Sequence, residues 1–373
     1  MKGFQEIAAA VEALAEPSAL ATLVRVKGSS YRQPGARMLF GPSGVRTGLI
    51  SAGCLETDIL ARIQMVLASR EPQLAAYDLG SDLDLIWGTG MGCQGRADVL
   101  LERVAPGPSP AWMRLCRIML EQRRTGALAT VYAIRGEPGG AAAGDHFLYD
   151  EAGGGLPPDP GPFADAIDAA LRRALATGAI ETPTLRAGAG ELDLLVEPIR
   201  PPFALWIFGA GEHSMPLARL ASALGWFVGI IDHRPALATP DRFPEAGRIV
   251  LGHPPESLQG LPLDRRSAAL VVSHIYDKDR QALECLLQTP IAYLGLQGNR
   301  ARSQRLLKEL AEAGLALPER QRQILHYPAG LDIGAETPEV IALSMLAEVQ
   351  AALAGHAGGS LRDRGGSIHA WRQ

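Results

Sequence analysis

Cysteine is scarce in this sequence: four residues in 373, at Cys54, Cys93, Cys116 and Cys285, and none in Cys-x-x-Cys spacing. So few thiols, so far apart, exclude a disulfide framework and a zinc finger or ribbon, and the expected setting is a reducing cytoplasm. No apolar run reaches the roughly 18 residues of a membrane span, and the N-terminus lacks a signal-peptide pattern, so no membrane partner is expected. No basic stripe is interleaved with aromatics, which make up only 5% of the chain. With a net charge of −4 and a pI near 6.1, no nucleic-acid partner is expected either. What remains is a globular composition, 47% hydrophobic and 20% charged, on a chain long enough for two or three domains.

Against that background two cysteines stand in matching glycine-rich settings. Ser51-Ala52-Gly53-Cys54-Leu55-Glu56-Thr57-Asp58 follows a strand-like run and opens a predicted helix, Leu55–Leu67. Gly88-Thr89-Gly90-Met91-Gly92-Cys93-Gln94-Gly95 echoes it. A thiol in the first helical turn meets unpaired N–H groups and the positive end of the dipole, both of which favour the thiolate. The competing reading is that both cysteines are small buried hydrophobes. Cys116 falls on the apolar face of a predicted helix and Cys285 among the leucines of another, which marks those two as structural.

The first 200 residues read as an α+β domain. Helices are expected at Gly3–Ala15, Leu55–Leu67, Trp112–Gln122 and Phe163–Ala176, and strands at Ala19–Val26, Ala36–Phe40, Val45–Ile50, Leu74–Leu79, Ala97–Arg103, Ala127–Ile134 and Leu192–Ile199. The loop Lys27–Gly35, with Ser29, Ser30 and Arg32 and with Arg37 behind it, has the composition of an anion-binding loop and equally of a plain turn. Residues 136–162, dominated by Gly, Ala and Pro, are expected to form a loose loop or weak hairpin. Arg200-Pro201-Pro202 marks a boundary.

From Ala204 strands and helices alternate, the mark of a Rossmann-like parallel sheet with helices on both faces, spanning 203–355 and followed by a loose tail at 356–373. Strands are expected at Ala204–Phe208, Trp226–Ile231, Arg248–Leu251, Ala268–Ser273 and Ile291–Leu294. Helices are expected at Met215–Leu224, Lys278–Leu287, Arg300–Ala313 and Pro338–Leu353, the last opened by Thr337-Pro338-Glu339. Gly209-Ala210-Gly211-Glu212-His213-Ser214 stands where a G-x-G-x-x-G fingerprint belongs, with Ser214 in place of the third glycine and Asp232 ending the next strand. Ser214 is expected to loosen helix–strand packing there, and Glu212 to place negative charge where a diphosphate would lie. Asp232-His233-Arg234, Ser273-His274-Ile275-Tyr276-Asp277 and Gly295–Arg300 should converge at the carboxyl ends of the strands. One reading of this half is a nicotinamide-dependent oxidoreductase using Gly209, Gly211 and Asp232, with His274 as acid/base.

Taken together the motifs resemble the XdhC/CoxI family of xanthine dehydrogenase accessory proteins. In the first half the likeness rests on Gly28-Ser29-Ser30, Arg32, Pro34-Gly35, Ser51–Glu56 and Trp87–Cys93. In the second it rests on Phe208–Gly211, Pro216–Arg219, Asp232-His233-Arg234, Arg242-Phe243-Pro244, His274 and Gly330–Pro338. Ala52 and Gln94 depart from the pattern where glycine is common, and Glu212-His213 varies another position. The resemblance implies a maturation factor, more a binding protein than a turnover enzyme. It would bind molybdenum cofactor (molybdopterin), protect it during sulfuration by a cysteine desulfurase, and deliver it to a xanthine dehydrogenase-type molybdenum hydroxylase apoenzyme. A homodimer is expected on the same ground. In that frame Cys54 and Cys93 are the functional thiols, candidates to contact molybdenum or carry sulfur, set side by side across a domain cleft, and Glu56 orients or relays protons. Ser29, Ser30, Arg32, Gly53 and Gly92 would bind the cofactor with them, and the loop Gly28–Gly35 is one of two places for the pterin phosphate, the other being Gly209–Ser214. Gly209, Gly211, Glu212, His213, Ser214, Asp232, Arg234, His274 and Asp277 would take the pterin phosphate or a separate nucleotide. A third reading is a scaffold that docks a hydroxylase and a desulfurase and carries no cofactor.

Overall fold

The structure is a computed structural model that describes residues 2–28, 31–41, 44, 46–51, 53, 55–78, 95–137, 139–152, 160–315 and 317–363. It divides into two compact units, Met1–Pro201 and Pro202–Gln373.

Unit 1 is α+β. Its helices are α1 (Lys2–Glu12), α2 (Glu56–Ser69), α3 (Ala111–Glu121) and α4 (Ala164–Thr177). Its strands are β1 (Ser18–Gly28), β2 (Arg37–Phe40), β3 (Arg46–Gly48), β4 (Gln73–Asp78), β5 (Gly95–Val104), β6 (Gly126–Gly136), β7 (His146–Asp150), β8 (Thr184–Ala187) and β9 (Gly190–Ile199). They form two antiparallel sheets, ordered β3-β2-β1-β5-β4 and β7-β6-β9-β8. Strand periodicity sorts each sheet's side chains onto two faces. Ala19, Ala21 and Leu23 of β1 pack against Ile59, Ile63 and Val66 of α2. Leu20, on the other face, joins Leu128, Leu148 and Ile199 of the second sheet, with α1 and α3 contributing Ile7, Val11, Met113 and Cys116. The second sheet buries its outer face on α4 through Ile167, Ala170, Leu171 and Ala174. Within the stretch expected to be loose, residues 146–150 form β7, paired with β6 and burying Phe147 and Leu148.

Unit 2 is α/β. Its strands β10 (Ala204–Phe208), β11 (Phe227–Asp232), β12 (Arg248–Leu251), β13 (Ser267–Val271), β14 (Tyr293–Leu296) and β15 (Leu325–His326) are all parallel, in the order β12-β11-β10-β13-β14-β15. Numbered from β10, this is the 3-2-1-4-5-6 order of a doubly wound dinucleotide-type sheet. Helices α5 (Ser214–Ala223) and α9 (Pro338–Leu353) cover one face. Helices α6 (Tyr276–Leu286) and α7 (Arg300–Glu312) cover the other, and short α8 (Glu319–Ile324) leads into β15. The fold class expected from the sequence is therefore the one observed. Thr337 caps α9 by accepting from Val340 N, with Pro338 at N1, as its sequence implies.

Candidate functional site

In unit 1 the turn before α2 is organised by a buried carboxylate. Glu56 is 2% exposed and reaches back over the helix start. Its Oε1 accepts from Ser51 N at 3.1 Å, and its Oε2 from Leu55 N at 3.1 Å and from the Ser51 hydroxyl. Ser51 Oγ in turn accepts from Gly53 N and Leu55 N. The effect is a clamp on the backbone of Ser51, Gly53 and Leu55 that satisfies donors left open at a helix N-terminus. Gly53, at φ +111°, is exposed with open space beside its Cα. Asp58, also in the first turn, pairs with Arg62 at 2.7 Å. Burial pushes the Asp58 carboxyl up, but hydrogen bonds from Arg62 and Tyr77 outweigh it and hold the group below its ordinary value. Two carboxylates thus already meet the positive end of α2.

Arg37 does not serve the loop before it as an anion ligand. It is buried and bound two-pronged to Glu197, Nη1 to Oε1 at 3.1 Å and Nη2 to Oε2 at 2.5 Å, and it also donates to Gly35 O. Arg32 is exposed. Ser29, Ser30, Cys54, Gly92 and Cys93 lie outside the described residues, as does Trp87.

In unit 2 the order of strand addition reverses between β10 and β13, and a crevice of about 30 Å³ opens there, lined by Gly209, Asp232, His233, His253, Ser273 and Lys278 among others. Gly209 has φ +122°, and a Cβ on it would come within 2.7 Å of the Ser273 backbone, so only glycine allows this approach. Ser214 is fully buried, and its hydroxyl donates to Gly209 O at 2.5 Å. Rather than loosening the turn, the serine ties the start of α5 to it. Ser214 N and Met215 N bond back to Gly211 O and Glu212 O, so the amides of Gly211, Glu212 and His213 precede the first hydrogen-bonded amides of α5.

Asp232 does not present a carboxylate for a ribose. Its Oδ2 accepts from Ala210 N at 2.6 Å and Arg234 Nη2 at 2.6 Å, and its Oδ1 from Arg234 N and Nε at 2.8 and 2.9 Å. Burial would raise its pKa, but the bonds from Arg234 and the Ala210 amide dominate and bring it down to about 2. A second buried carboxylate, Asp279, accepts from Ser273 Oγ at 2.5 Å and Arg302 Nη2 at 2.7 Å. Sequence reading missed it because its partner lies 23 residues on, with no local signal. Around the turn the histidines pair. His213 and His274 meet edge-on at 4.6 Å and His233 stacks on His253 at 4.7 Å. Burial, then the charge of His274, pushes His213 below its ordinary value. His274 adopts φ +60°, and Asp277 is exposed at the start of α6. Glu212 is neutralised by Arg242 at 2.7 Å. Of the residues expected at this end, Gly209, Asp232, His233 and Ser273 line the crevice, and Gly211, Glu212, His213, Ser214, Arg234, His274 and Asp277 are not among its lining.

The comparisons agree with this geometry. Residues 205–349 match the model of the XdhC Rossmann domain, and residues 12–78 that of the XdhC and CoxI family. A Bacillus subtilis (strain 168) protein, named as a probable subunit of xanthine dehydrogenase, is 33% identical over 90% of this chain and 92% of its own. The chain belongs to the XdhC and CoxI family. The Escherichia coli (strain K12) molybdenum cofactor insertion chaperone PaoD is 24% identical over 91% of this chain and 85% of its own. A Bacillus halodurans protein whose crystal structure is described as a xanthine dehydrogenase superposes with a TM-score of 0.75 at 27% identity, covering 97% of this chain and 98% of that one. Among the described residues no helix is long and apolar enough to cross a membrane, and no group of three or more His, Cys, Asp or Glu is placed to hold a metal ion.

Proposed function

We propose that this protein is a maturation factor that binds molybdenum cofactor and hands it, after sulfuration by a cysteine desulfurase, to a xanthine dehydrogenase-type hydroxylase. The observation that carries the reading is its likeness, along nearly the whole chain, to a molybdenum cofactor insertion chaperone. The residues present suit such a guest. A cofactor whose metal is held by sulfur calls for soft donors, and Cys54 stands in the sequence between Ser51 and Leu55, the two residues that Glu56 ties together at the head of α2. Glu56, with its hydrogen bonds directed into the turn, is a positioning residue that sets the backbone on both sides of Cys54. For the cofactor's phosphate, the amides of Gly211–His213 at the start of α5, with His213 and His274 beside them, form the better end of unit 2. When bound, the cofactor supplies the molybdenum centre, and the chain supplies binding and shielding.

A nicotinamide enzyme is the weaker reading, because Asp232 is already committed to Ala210 N and Arg234 and could meet a ribose only by giving up the bonds that hold the glycine turn. The deciding experiment is expression with molybdate, purification, and assay of bound pterin by fluorescence after oxidation, together with activation of a partner hydroxylase. Wild type should carry pterin, and Cys54→Ala should lose most of both signals. Wild-type protein free of pterin would instead support a scaffold, and unchanged values in the variant would remove Cys54 from the site.

A further inference from the structure

The two sheets of unit 1 are built to one plan. The elements α1, β1, β2, α2, β4 and β5 follow each other as α3, β6, β7, α4, β8 and β9 do, with β3 an addition to the first set. The strand orders β2-β1-β5-β4 and β7-β6-β9-β8 coincide. Both central strands lose register against their long partners at the same place, between Leu23 and Arg25 and between Val131 and Ala133. There the bonds Leu23 N to Ala36 O and Gly35 N to Leu23 O recur as Val131 N to Asp145 O and Gly144 N to Val131 O. Sequence follows structure. Phe4, Ala19-Leu20-Ala21-Thr22 and Gly28 have counterparts 108 positions on (4 to 112, 22 to 130) in Trp112, Ala127-Leu128-Ala129-Thr130 and Gly136. Asp98, Leu100 and Glu102 recur as Asp193, Leu195 and Glu197.

The contacts between the halves are reciprocal. Arg37 of the first pairs with Glu197 of the second, while His146, the counterpart of Arg37, pairs at 2.9 Å with Glu102, the counterpart of Glu197. Phe4 meets its counterpart Trp112 at 6.1 Å. Val24, Leu100, Tyr132 and Leu195, two positions drawn once from each half, form one buried cluster. Contact of i with j and of j with i is the signature of a twofold interface. We infer that unit 1 is a fused pseudo-dimer of one αββαββ module, in which each module's docking partner is a copy of itself and the second clamps the first. The clamp is close: a Cβ on Gly35 would lie 2.3 Å from Glu197 Oε1.

The two halves of the clamp differ in one respect that makes the inference testable. Arg37 reaches both oxygens of Glu197, whereas His146 reaches only Oε1 of Glu102, and the buried Glu102 Oε2 has no hydrogen-bond partner among the described residues. Equivalent positions should accept each other's residues, and arginine at 146 should satisfy the orphaned oxygen. Thermal unfolding of the full chain tests this with Arg37→His, His146→Arg and the exchange of both. Arg37→His should lower Tm by roughly 6 °C or more. The exchange should recover most of that loss, and His146→Arg alone should unfold no earlier than wild type. An exchange variant that melts with or below Arg37→His overturns the equivalence. Should Arg37→His fail to fold, His146→Arg decides alone, and a fall of several degrees in its Tm overturns the inference.

Discussion

Asp232 shows how spacing can place a residue while its bonding partners stay hidden in the sequence. Its position at the end of the strand after Gly209-Ala210-Gly211 follows from the fingerprint distance, but its partners are set by folding. Arg234, two residues on, curls back, and the Ala210 amide points at it. The depressed pKa carries a stability consequence with a definite sign. The unfolded group titrates near 3.8 and the folded one at about 2, so the contribution is complete above about pH 4 and disappears as pH falls toward 2. Asp232→Asn should cost about 2 kcal/mol in urea unfolding at pH 7. The difference from wild type should shrink as pH is lowered toward 2. A difference that stays constant with pH would remove the charge as its cause. Cys116 offers a second check. Burial pushes its thiol up to about 12, with Arg37 pulling the other way. Peptide mapping after iodoacetamide at pH 8 should find Cys116 unmodified in the native protein and modified only after unfolding. Labelling before unfolding would contradict its placement in the shared core of unit 1.

At the scale of elements, long segments with clear periodicity were legible: α1, α2, α9 and the strands of unit 2 form near where their patterns put them. The segments that were not legible are short and lie at or near sheet edges. β7, β8, α8 and β15 carry little amphipathic pattern of their own and exist because β6, β9 and β14 offer them a neighbour. The Ser51–Glu56 clamp was likewise half visible. The cysteine before a helix could be read, but the five-residue reach of the Glu56 carboxylate is a property of the folded turn. Replacing Glu56 with Gln puts an amide N–H₂ against the donors Ser51 N or Leu55 N, so unit 1 should lose roughly 1–3 kcal/mol. If the clamp sets Cys54, the rate of Cys54 alkylation should change in the same variant while that of Cys285 does not. Equal rates in variant and wild type would confine Glu56 to holding the helix start.

At the scale of the molecule, the fold class and the family were legible because many motifs recur in order, whereas the doubling of unit 1 was hidden by its unequal halves. Arg37 faces Glu197 but His146 faces Glu102, and among the described residues β3 and the Ser51–Glu56 turn occur in the first half only. The inequality predicts stoichiometry. No cysteine stands between β7 and α4, where the counterpart of Cys54 would fall, so saturated protein should hold one pterin per chain. Two per chain would mean that the second module also binds. The tether between the halves has a further effect. Two separate modules would meet only as often as their concentration allowed, and dilution would part them. Joined through Ala105–Pro110, they share an effective concentration set by the link alone. The midpoint of unfolding of unit 1 should therefore be the same in a dilute cell extract as in a concentrated sample, and a protein made in small amounts would assemble its core as surely as an abundant one.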